Sequence, residues 1–263
     1  MWLHEKRWPD VEKYLRKDDR IIIPVGSTEQ HGAHAPLGTD SLAAISVAED
    51  VSKEIGVMVA PPLWFGWSPH HLPLPGSISI RSDILVEMLY DIIRSLSVHG
   101  FENFVVLNGH RLANIPWIQI AVEKAQRTLD VKVVIFDPGY MSKEIVDELG
   151  FGPLGHADET ETSHMLHKYP ALVDLDKAKD FEAEEETLYH PDPRDPRDTL
   201  CYVPSTKEDT KRLVKTTEDA VVGKPSSASA EKGKEYHEYL VERLITVLRK
   251  LKKGAKFVHV GGR

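Results

Sequence analysis

Four short apolar runs, each separated from the next by an amphipathic stretch, constrain this chain more than any other feature. They are residues 20–25 (with Ile21-Ile22-Ile23-Pro24-Val25), Val57-Met58-Val59-Ala60, Phe104-Val105-Val106-Leu107 and 131–136. Continuous rather than alternating apolar character marks strands covered on both faces. Between them, 40–55 carries Leu42, Ile45, Val47, Ala48 and Val51 at helical spacing, and 81–99 carries Ile84, Leu85, Met88, Leu89, Ile92, Ile93 and Leu96. Residues 114–128 form a third helix with Pro116 in its first turn. The order β-α-β-α-β-α-β predicts an α/β fold: a single domain, mainly parallel sheet with helices on both faces, joined by right-handed crossovers.

In open sheets of this kind, ligands bind beyond the carboxyl ends of the strands. The residues placed there are Glu29, His31, His34 and Asp40 after the first strand, and His110 after the third, in Asn108-Gly109-His110. Glu29 and His31, two apart, point the same way in extended chain. Farther on, His156-Ala157-Asp158-Glu159-Thr160-Glu161 leads into a helix. Glu29, His31, Asp40, His110 and Glu161 together offer nitrogen and oxygen donors without thiolate, a set suited to Zn²⁺ or Mn²⁺. Five donors exceed what one four-coordinate catalytic ion uses, so the pattern points to two divalent ions per subunit, with Asp40 as the bridge. Such a pair activates water and polarises a carbonyl, and His156 is the candidate proton donor to the leaving atom. The alternative for His156 is a helix-capping or solvated histidine, and His34, His70 and His71 could shape the pocket but each reads first as a structural histidine.

The remaining segments bound the problem. A helix at 10–17 follows Trp8-Pro9-Asp10, another spans 141–149, and a long one spans 226–253 before a 254–263 tail. The 61–79 stretch, with Trp64, Phe65, Trp67, His70 and His71, reads as a pocket wall, a lid, or a core or subunit contact. The Pro/Asp/Arg-rich 180–200 stretch reads as an exposed excursion within the domain. The net charge of −8 over 263 residues excludes nonspecific nucleic-acid or acidic-membrane binding. A lone cysteine, Cys201, excludes a disulfide framework or cysteine zinc finger. The start lacks the apolar core of a signal peptide and no window suits a membrane span, so a cytoplasmic protein is expected.

Pro24-Val25-Gly26-Ser27-Thr28-Glu29-Gln30-His31-Gly32…Leu37-Gly38-Thr39-Asp40 closely resembles the first metal motif of the creatininase (creatinine amidohydrolase) family. His71…Pro75-Gly76-Ser77, Asn108-Gly109-His110, His156-Ala157…Glu161-Thr162-Ser163 and Gly223-Lys224-Pro225…Glu231-Lys232-Gly233 follow in the family's order. The resemblance spans roughly residues 20 to 250. It implies a two-metal centre on Glu29, His31, Asp40, His110 and Glu161, proton transfer by His156, and homo-oligomers, often hexamers. The chain departs from the family at Arg111-Leu112-Ala113, where a Gly-Gly turn is usual, and at Leu112, where creatininase itself carries a glutamate. Together with Trp64–His71, this turn resembles the branch that opens dehydro-inososes in inositol breakdown. That branch implies a small cyclic polar substrate contacted by Trp67, His71, Ser77 and Arg111. Hydrolysis of a cyclic or small amide is the alternative. A non-catalytic metal protein or a sugar-binding module are the readings from other classes.

Overall fold

The computed structural model describes residues 1–182, 188–190, 192–202, 206–217 and 219–251. The 254–263 tail and the end of the helix expected over 226–253 lie outside them. Helix α1 (Trp8–Leu15) precedes β1 (Arg20–Val25), α2 (Thr39–Ile55), β2 (Met58–Val59), α3 (Ser82–Ser97), β3 (Asn103–Asn108), α4 (Ile115–Thr128) and β4 (Lys132–Phe136). Then come α5 (Pro138–Met141), α6 (Lys143–Glu148), α7 (Glu159–Lys168), α8 (Lys207–Thr217) and α9 (Ala230–Lys250). The strands form one parallel sheet in the order β2-β1-β3-β4, with Ile22 beside Val105 and Val25 beside Asn108. Side chains alternate across it. Ile22, Val59, Val105 and Leu107 pack under α2 and α9, while Ile21, Ile23, Val25, Phe104 and Val106 pack under α3 and α4. Both faces are therefore covered, and the fold is a single α/β domain.

Three elements differ from those expected. The 141–149 helix is broken at Ser142, whose ψ of 14° lies outside the helical region, into α5 and α6. The long helix starts at Ala230 rather than 226, because Pro225–Ser227 forms a separate 3-10 turn and Ser229 Oγ accepts the Lys232 N–H as the cap. The α8 helix was not foreseen: its Lys, Glu, Asp and Thr leave too few apolar residues for a legible period, though Thr210 and Thr217 are buried. Within the 180–200 stretch, Arg194 is only 12% exposed and donates to the carbonyls of Phe151 and Gly152, so this part is pinned to the body. No helix among the described residues is long and apolar enough to cross a membrane.

Candidate metal centre

Each ligand candidate sits where a regular element ends. Past β1 the chain turns through Gly26, and the Glu29 N–H donates to Leu37 O at 2.8 Å, closing the loop that carries Glu29 and His31. Asp40 lies in the first turn of α2, where the helix dipole favours a carboxylate. Beyond β3, Asn108 brackets His110: its Oδ1 accepts the His110 N–H at 3.1 Å and its Nδ2 donates to His110 O at 2.9 Å. A Cβ on Gly109 would stand 2.0 Å from Asp40 O, so only glycine lets the two loops meet. Leu112 occupies a left-handed conformation (φ 60°) in the turn that follows, a strain that a glycine there would not carry. Asp158 caps α7 by accepting the N–H groups of Thr160 and Glu161, and this orients Glu161.

These side chains converge. Asp40 turns Oδ1 to His31 Nε2 at 3.2 Å and Oδ2 to His110 Nδ1 at 3.1 Å. Glu29 Oε2 lies 3.2 Å from His110 Nε2, and Glu161 Oε2 lies 3.7 Å from His31 Nε2. Glu29, His31 and Asp40 are almost wholly buried. Their Glu29 Oε1, His31 Nε2 and Asp40 Oδ2 atoms have no well-aligned hydrogen-bond partner among the described residues. Orphaned buried acceptors facing imidazole nitrogens are what a cation completes. Three sets bring one donor atom each within 4.8 Å: Glu29, His31 and Asp40; Glu29, His71 and His156; His31, His156 and Glu161. The residues present fit a divalent ion such as Zn²⁺ or Mn²⁺.

Without a cation, protons serve the same electrostatic need. Burial disfavours charge on His31, yet Asp40, Glu161 and Glu29 push it up to about 10. Against the same burial, Glu29 and Asp40 push His110 up to about 9. Burial would raise Asp40, but the two imidazolium groups hold it well below the usual carboxylate range. Burial, then Asp158, pushes Glu161 up to about 8, and burial also raises Glu29. His156 is held well below the histidine range by burial and by His31.

Around the cluster, Ser68 Oγ donates to Glu29 Oε2, and His71 Nε2 stands 3.3 Å from Glu29 Oε1. The Gln30 side chain lies 2.9 Å from His71 Nδ1 and 2.7 Å from His156 Nε2. Neither Ser68 nor Gln30 is legible as a site residue from sequence, since both are single neutral polar residues in polar loops. A cavity of about 520 Å³ opens over the cluster, walled by Trp67, His70, His71, His110, Arg111, His156, Glu161 and Tyr189, among others. Arg111 packs on Gly139 and faces Asp137, with Nε to Oδ2 at 3.9 Å; burial pushes Asp137 up to about 6. Ser77 is not in this wall; its Oγ accepts the Gln30 N–H at 3.0 Å behind the ligand loop. His34 is buried away from the cluster, Nε2 3.0 Å from Thr162 Oγ1, and burial lowers it to about 4.

The creatinine amidohydrolase family profile matches residues 4–248. A 3-dehydro-scyllo-inosose hydrolase of Thermotoga maritima is 32% identical over 91% of this chain and 79% of its own length. The creatinine amidohydrolase of Pseudomonas putida is 29% identical, covering 95% of this chain and 96% of its own. Solved creatininases superpose at a TM-score of 0.79 with 29% identity over 94% of this chain and 96–97% of theirs, including a manganese form and a Zn-Zn variant. With its parallel sheet, its buried donor cluster and this match along nearly its whole length, the chain belongs to the creatininase family of metal-dependent hydrolases.

Proposed function

We propose that the protein is a two-metal hydrolase that opens a small hydroxyl-rich ring at a carbonyl, its substrate a cyclic polyol diketone of the dehydro-inosose class, cleaved at a carbon–carbon bond in inositol breakdown. The observation that carries the reading is the convergence of orphaned Glu29 Oε1, His31 Nε2 and Asp40 Oδ2 below a cavity of about 520 Å³. That volume suits a single small ring with room for water. Glu29, His31, Asp40, His110 and Glu161 would hold the ions, and Asp40, with one oxygen toward each histidine, has the arrangement of a bridge. Zinc or manganese bound there would supply carbonyl polarisation and a water of lowered pKa.

The chain's own groups do the rest. His156 Nε2 lies 2.8 Å from Gln30 O and 2.7 Å from the Gln30 side-chain nitrogen, and its Nδ1 lies 3.8 Å from Glu29 Oε1. There His156 takes a proton and returns it to the departing carbon. Trp67 supplies a flat apolar wall, and His70, His71, Arg111 and Tyr189 supply donors for ring hydroxyls. The Thermotoga maritima relative supports the polyol. The Pseudomonas putida relative supports a second reading, hydrolysis of a cyclic amide by the same groups. Exposed Trp64, Phe65 and Leu72 support assembly into a cytoplasmic homo-oligomer, a hexamer in the family's manner.

The test is elemental analysis followed by ring-opening assays on inososes and cyclic amides with metal-replete protein. Near two divalent ions per subunit and turnover of an inosose are expected. Opening of neither ring refutes the substrate reading, and no metal uptake from Zn²⁺ or Mn²⁺ refutes the metal centre itself.

A further inference from the structure

Three helices bury a second set of titratable side chains behind the metal cluster. His164 on α7 and His237 on α9 are 4% and 3% exposed. His164 Nε2 lies 2.8 Å from His237 Nδ1, and His237 Nε2 lies 3.0 Å from Asp50 Oδ2 on α2. Lys168 and Lys53 donate to Asp50 at 2.6 and 3.0 Å and keep it ionised. An ionised carboxylate only accepts, so His237 carries its proton on Nε2 and its Nδ1 accepts. His164 must therefore donate from Nε2, and its Nδ1 is left as a lone pair. Ser46 Oγ, 3.3 Å from His164 Nε2, donates to Ala43 O and agrees with this direction. The ring edge of Tyr236 faces His164, and His167 stands 5.5 Å from His237. Burial, then the neighbouring cations, lowers both histidines, His237 to about 4, so both rings are neutral near pH 7.

His164 also lines a small cavity of about 80 Å³ whose wall includes Asp40 and Glu161 of the metal cluster, with Arg111 and Asp137. Such a volume, with Asp40, Asp137, Asp158 and Glu161 in its wall, has room for a few waters. We propose that His164 is a proton acceptor at the rear of the metal centre, with His237 and Asp50 as positioning residues that hold it in the accepting tautomer. This rests on the hydrolytic reading above. Carbon–carbon hydrolysis that ends in a carboxylate releases one net proton per turnover, while substrate fills the front cavity. That proton crosses the rear cavity and bonds to His164 Nδ1. The His164 Nε2–H stays bonded to His237 Nδ1 and the His237 Nε2–H to the ionised Asp50, and when product leaves, His164 Nδ1 returns the proton to the cavity water with both tautomers unchanged. One proton enters and one leaves, and no charge stays buried.

The test uses ¹⁵N-histidine NMR and kinetics of the full chain. In the native protein near pH 7, His164 and His237 should each be protonated on Nε2 alone; a proton on His164 Nδ1 overturns the proposal. In Asp50→Ala the acceptor that fixes the His237 Nε2 proton is gone, and part of both rings should shift the proton to Nδ1. Unchanged tautomers overturn the positioning role. On an inosose, Asp50→Asn and His237→Gln should lower kcat by about 100-fold with KM and metal content retained. A lowered melting temperature with unchanged kcat shows helix packing alone and overturns the proposal. Should neither ring be opened, the substrate reading falls, while the NMR arms still decide the acceptor tautomer.

Discussion

Gly109→Ala tests how closely the fold and the metal centre depend on one another. The new Cβ would meet Asp40 O at 2.0 Å and Asp40 C at 2.9 Å, where ordinary contact begins near 3.4 Å. About 1.4 Å must therefore be made up between two backbones. Neither yields easily: the Gly109 N–H donates to Val25 O at 2.7 Å at the end of the sheet, and Asp40 lies in the first turn of a 17-residue helix. Overpacking costs about 1–3 kcal/mol, and a clash between two fixed backbones belongs at the upper end, about 3 kcal/mol. For a domain of this size that lowers the melting temperature by roughly 6–12 °C. Because the atom displaced belongs to Asp40, metal bound per subunit should fall as well. Gly56→Ala is the control: its φ of 71° makes alanine unfavourable by about 1 kcal/mol, but nothing lies within 4 Å of the new Cβ. It should melt roughly 2–4 °C low with full metal content. The two variants are compared by thermal denaturation and elemental analysis. If Gly109→Ala matches Gly56→Ala in both, the coupling of β3 to the ligand loop is refuted.

Three further outcomes are expected. Asp40→Ala should abolish turnover and lower metal content; retention of two ions by elemental analysis would refute the bridge. Metal-stripped protein should lose stability as pH rises from about 7 to 10. The raised His31 and His110 stabilise below their unfolded value of about 6.5 and lose that contribution as pH climbs through about 10 and 9, while Glu161 is released late, near 8. Melting scans after chelation read this, zinc loading should flatten the slope, and a stripped protein that gains stability toward pH 9 contradicts it. Arg194→Ala removes the donors to Phe151 O and Gly152 O ahead of His156, and should lower the melting temperature by about 2–4 °C and kcat with it, at unchanged metal content. Equal kcat would show that the 188–202 stretch does not steady the His156 loop.

Much of this was legible before the fold, for physical reasons. Ile21–Val25 and Phe104–Leu107 are apolar on every residue, and only a sheet covered on both faces buries such runs. The strand ends then bring the Glu29 and His31 loop and His110 to one edge of the sheet, and Asp40 follows at the start of the next helix. Helix ends that depend on a single backbone angle, as at Ser142, escape any reading of periodicity. So does α8, where Thr210 and Thr217 are buried among the described residues.

The sequence by itself determined the parallel α/β sheet and the family, because apolar periodicity and a dense motif are local properties of the chain. Tertiary structure alone decided that Ser68 and His71 reach Glu29, that Gln30 turns to His156, that Arg111 rests on Gly139 opposite Asp137, and that Asp50, His237 and His164 form one chain of hydrogen bonds. Those pairs stand from 26 to 187 residues apart or depend on a turn's handedness. Contacts of that kind are set by how helices and loops pack on the sheet, not by any pattern along the chain.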